Sequence, residues 1–76
     1  MTHWINEDVK INFKVCGAMQ KILDKAEKID AEGDWLYLNV ADEIDHFTKC
    51  MVIEDLMTVG QRNKLLERYC DVFDKF

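Results

Sequence analysis

Proline is absent from the 76 residues, serine is absent too, and glycine occurs only at positions 17, 33 and 60. A chain so poor in turn-formers does not read as a sandwich or barrel of short strands, which needs a Gly- or Pro-rich turn every few residues. The missing serine removes Ser-based nucleophilic catalysis, and three isolated glycines build no phosphate-cradling loop. Cysteine is scarce and odd in number: Cys16, Cys50 and Cys70 lie far apart with no C-x-x-C pair. That pattern predicts reduced thiols and a reducing, cytoplasmic setting instead of a disulfide framework. No apolar run approaches the ~20 residues that span a bilayer. The opening Met1 to Asp8 lacks the basic and apolar regions of a secretory leader, so neither membrane nor export is expected.

What is present is an apolar half. Hydrophobic residues make up 49% of the chain, enough to exclude intrinsic disorder. A chain this short buries only roughly 60% of its unfolded surface, so its stability is marginal without a supplement. The net charge is −5, and its distribution says more than its size. Residues 34 to 56 hold Asp34, Asp42, Glu43, Asp45, Glu54 and Asp55 against Lys49, whereas the flanking segments are nearly balanced. An acidic middle opposes generic nucleic-acid binding, which needs clustered cations to displace counterions from phosphates.

Periodicity predicts one all-α domain over residues 1–76, a small three-helix bundle with helices near 6–32, 35/39–54 and 58–75. Asn6 is the expected N-cap of the first helix, with Glu7 and Asp8 in its first turn. Ile5, Asn12, Val15, Cys16, Met19, Ile22, Leu23 and Ala26 then fall on one face at about 100° per residue. Gly33 suits the left-handed position that closes it. The second helix starts either at Asp34, as cap to Trp35, or at Asn39, with Trp35 to Leu38 as an extended connector. Its core stripe is Val40, Ile44, Phe47 and Met51 in either case. Thr58 and Gln61 have the spacing of a capping box, and Leu65, Leu66, Tyr69, Val72, Phe73 and Phe76 form the buried face beyond it.

Three constellations bear on function. Glu43 and His46 make an E-x-x-H, the spacing of one ligand pair in di-iron bundles, which would need a dimer and further carboxylates such as Glu27 or Glu32. With Ile44 and Phe47 inward, both residues belong to a solvated acidic face, so no metal or other cofactor is expected. The cysteines lie on or beside core stripes, where thiols behave as small hydrophobes. No catalytic residue is assigned, and a non-enzymatic role is expected.

Lys10, Lys14, Lys21, Lys25 and Lys28 all project within a sector of about 60° on the first helix when residues advance by about 100° each, with Phe13 at its border. Such a stripe is either a solvated face or a contact for an anionic partner. If the second helix begins at Asp34, Trp35 and Leu38 point outward beside Asp42, Asp45 and Glu54 and form a second candidate surface suited to a basic partner; if they are a connector, they cover the open end of the bundle. Arg62 falls within an apolar sector and is expected to reach Asp55 or Glu54.

The expected function is therefore a small acidic protein-binding module, an inhibitor or regulator of a larger partner, with a homodimer also expected. Size and charge alone give an analogy to inhibitors carried by phage and mobile elements. The alternatives are a nucleic-acid-binding regulator using the lysine stripe and a dimeric E-x-x-H metal bundle.

Overall fold

The computed structural model describes residues 4–71, and among them the secondary structure consists of three helices without strands. They are α1 (Gly17–Glu32), α2 (Tyr37–Ile53) and α3 (Val59–Tyr69). The chain is a small three-helix bundle in which α2 packs against both of the others. Met19, Leu23 and Ala26 of α1, Tyr37, Val40, Ala41, Ile44 and Met51 of α2, and Leu65 and Tyr69 of α3 meet in one core. The stripe read from i, i+4, i+7 and i+11 on α2 is the one the structure buries, with Phe47 at its half-buried edge.

The helix ends follow local chemistry. Gly33 has φ 66°, donates to Asp30 O, and is followed by Asp34 donating to Ile29 O, the paired bonds of a Schellman closure. The same closure ends α2, with Asp55 at φ 63° in the place glycine normally takes. Asparagine and aspartate tolerate that region better than other non-glycine residues. Thr58 opens α3 by the anticipated capping box: its hydroxyl accepts from Gln61 N while Gln61 Oε1 accepts from Thr58 N, both at 3.1 Å. Neither expected start of α2 is quite right. The Asp34 carboxylate accepts from Leu36 N across an Asx turn, residues 35 and 36 form a turn, and the helix begins at Tyr37.

The first helix is shorter than its hydrophobic spacing suggests. It starts at Gly17, and residues 4–16 form a non-helical arm. Asn6 caps no helix; its side chain accepts from Asp8 N in a local turn. Ile5 and Val15 still face the protein, but from the arm, while Cys16 is exposed. The last part of the expected third helix, including Val72, Phe73 and Phe76, lies outside the described residues.

The arm fills the seam between α1 and α3. Asp30, 2% exposed, accepts hydrogen bonds from the backbone amides of Trp4 and Ile5. Asn6 N donates to Arg68 O at 2.9 Å, and the Arg68 guanidinium donates to Val9 O at the same distance. Trp4 lies flat on Tyr37, with ring centroids 5.3 Å apart and 5° between planes, and meets the Trp35 ring at 66°. Tyr37 in turn donates its hydroxyl to Tyr69 O at 2.8 Å, satisfying a carbonyl at the end of α3.

A buried carboxylate in the last turn of a helix faces the negative end of the helix dipole and is unfavourable there on its own. The arm amides compensate it. Asp30→Ala leaves both donors buried without that acceptor, at about 1–3 kcal/mol each, against roughly 4–11 kcal/mol of total stability for a domain of this length. Urea unfolding should show a loss of about 2–4 kcal/mol with red-shifted tryptophan emission before unfolding, and a smaller loss for Asp30→Asn, which keeps an acceptor. An Asp30→Ala protein with wild-type midpoint and emission would contradict this role.

Candidate functional site

Because α1 begins at Gly17, the five lysines do not share one helix face. Lys21, Lys25 and Lys28 are exposed on α1, whereas Lys10 and Lys14 are exposed on the arm. The continuous stripe is thus broken by the same residues that shorten the helix. Phe13 does not border a charged row; it is half-buried against the core, with Ile11 and Val15. Beneath these arm residues lies a cleft of about 360 Å³, floored by Leu23, Glu27, Arg68 and Tyr69. Its polar groups are engaged with one another. Tyr69 donates to Glu27 Oε2 at 3.2 Å, Arg68 approaches Glu27 Oε1 at 3.6 Å, and the guanidinium carbon sits 5.3 Å from the Tyr69 ring centre.

The surface around Trp35 is better formed. Trp35 is 60% exposed, yet one face of the indole is fixed by the edge contact to buried Trp4. Leu36 beside it is also exposed, whereas Leu38, the other apolar residue expected here, is half-buried against the core. Along α2 itself, Asn39, Asp42, Glu43 and His46 are exposed. The exposed indole of Trp35 thus stands in the turn that leads into a helix whose outer side carries carboxylates.

Asp45 is not available to that face. It pairs with Arg62 at 2.5 Å, tying α2 to α3. Arg62 was expected to reach Asp55 or Glu54, residues near it in sequence; the antiparallel return of α3 along α2 brings it to Asp45 instead. Its Nε is buried without a hydrogen-bond partner. This packing links positions 17 residues apart, and no local spacing signals it.

A third surface was not anticipated. At the corner between α2 and α3, Ile53, Leu56 and Val59 are 74%, 67% and 61% exposed. Ile53 and Val59 wall a groove of about 410 Å³ together with Val52, Lys49, Asp45 and Arg62. The signal in the sequence was the run Met51-Val52-Ile53 followed by Leu56 and Val59, more apolar positions than one stripe on each helix can bury.

Glu43 and His46 are exposed, and no group of three metal-ligating side chains occurs among the described residues. Nor is any helix among them long and apolar enough to cross a membrane. The thiols, all expected on or beside core stripes as small hydrophobes, split into two kinds. Cys16 and Cys50 are exposed, whereas Cys70 is buried and donates to Ala41 O at 3.2 Å. Burial, followed by the Asp45 carboxylate, pushes the Cys70 thiol up to about 12. Thiolate is the reactive form, so a thiol-specific disulfide reagent at neutral pH should modify Cys16 and Cys50 in the native protein and Cys70 only after denaturation. Three equivalents consumed rapidly without denaturant would contradict the placement of Cys70.

No family model matches the chain, and neither a curated protein nor a solved structure matches it.

Proposed function

We propose that this chain is a small non-enzymatic protein-binding module that docks on a larger, basic partner through Trp35 and the acidic outer face of α2, inhibiting or regulating that partner. The observation that carries the reading is the exposed but fixed indole. Tryptophan is the residue most enriched at binding hot spots, where a large apolar surface is presented at low entropic cost. Here the rotamer is supported from beneath by Trp4, which is stacked on Tyr37. Little ordering of this side chain is left for association to drive. Asp42 and Glu43 supply negative charge alongside, which favours cationic partners and speeds their encounter. A nucleic-acid reading loses its main support once the lysines are divided between arm and helix, since phosphate recognition depends on clustered cations.

Tagged wild type and Trp35→Ala, each confirmed folded by circular dichroism, would be exposed to extract of the native host. Wild type should retain a defined protein at near-stoichiometric yield. Loss of a hot spot of about 2 kcal/mol corresponds to roughly 30-fold weaker binding, so the variant should retain little. Equal retention by both proteins, or none by wild type, would overturn the reading.

A further inference from the structure

The turn joining α2 to α3 is built so that apolar groups face outward. After a Schellman closure the residue following the left-handed position commonly packs back on the helix it terminates. Here that residue is Leu56, whose amide does bond back to Met51 O at 2.8 Å, yet its side chain stays exposed and Met57 enters the core in its place. Leu56 lies between Ile53 and Val59 in the chain, and those two wall the groove, so the turn and the groove rim together carry three exposed aliphatic side chains. Single exposed aliphatics need no explanation, but a contiguous set beside a groove marks a contact surface.

We infer that the occupant of this surface is a second copy of the same chain, docked about a two-fold axis so that Leu56 of each copy enters the groove of the other. Charge complementarity selects this occupant. The groove carries two cations, Lys49 and Arg62, against the single carboxylate of Asp45. The adjoining turn carries Glu54 and Asp55, both exposed. Arg62 is already committed to Asp45, while among the described residues no ion pair engages Lys49 or Glu54. A positive groove next to a negative, apolar turn is self-complementary under two-fold rotation, because the turn of each copy meets the groove of the other. The paired bonds would join Lys49 of one copy to Glu54 of the other, around a dry centre of aliphatic side chains. A chain of this size also gains from covering apolar area it cannot bury alone. The face lies at the opposite end of α2 from Trp35, so the dimer leaves the proposed anchor exposed.

Sedimentation equilibrium at tens to hundreds of micromolar tests this directly. Wild type and Trp35→Ala should both sediment at twice the chain mass, and Leu56→Asp, a change at an exposed site, at the chain mass with unaltered helical signal. Lys49→Glu and Glu54→Lys should each shift the equilibrium toward monomer, and mixing the two should restore the dimer. Monomeric wild type, a Leu56→Asp protein that still dimerises, or a Trp35→Ala protein that does not, would overturn the inference. A mixture of the two charge variants that stays monomeric would overturn the pairing of Lys49 with Glu54. A monomeric wild type that still loses its host partner on Trp35→Ala would sink the dimer alone.

Discussion

A carboxylate buried at the wrong end of a helix governs how this small bundle closes. Asp30 sits in the last turn of α1, where the backbone already points its carbonyls and where a negative charge is least welcome. It is stable there because the chain returns over it with the amides of Trp4 and Ile5 aimed at its oxygen. The cost of the buried charge and the need of the arm amides for an acceptor offset each other. From that contact the arm places Trp4 flat on Tyr37, and Tyr37 ties the end of α3 through its hydroxyl. Burial, followed by the nearby Asp30 carboxylate, holds the Tyr37 hydroxyl well above the ordinary phenol range and so favours its donating form.

The two ends of α2 are finished differently. At its beginning the arm seals the core, and the surplus aromatic surface emerges as Trp35, rigid because Trp4 is buried behind it. At its end Ile53, Leu56 and Val59 are exposed, and the charges around them divide into a cationic groove and an anionic turn. A chain with a marginal core has few ways to carry exposed apolar surface without aggregating, and specific partners are one of them. Both surfaces rest on the same frame: a rigid helix, a pinned arm, and the Arg62 to Asp45 pair that fixes α3 against α2.

Much of the frame was legible in the sequence, and the reasons are local. Gly33, the Thr58–Gln61 box and the stripe from Val40 to Met51 depend on spacings of three and four residues, which any helix imposes. The arm was missed because Ile5, Val15, Met19 and Leu23 mimic a helical stripe when read together. A shorter window holds the opposite signal: Val9, Ile11, Phe13 and Val15 alternate with Lys10, Asn12 and Lys14, a period of two that a helix cannot bury on one side. The structure honours that alternation, half-burying the apolar set and exposing the polar one. Reading the lysines as one stripe followed from the same error. Asp30 offered a further clue, as an acid flanked by Ile29 and Ala31 in a last helical turn. Its partners lie 25 and 26 residues away, and no periodicity reports them. The pairing of Arg62 with Asp45 is equally non-local.

Amide hydrogen exchange followed residue by residue tests the central contact most directly. If Asp30 holds the arm, the amides of Trp4 and Ile5 exchange at rates within the range of the α2 core amides, although no helix or sheet contains them. Exchange of those two amides at the rate of an unstructured peptide, with α1 and α2 still protected, would show that the bundle closes without its arm and would contradict the account.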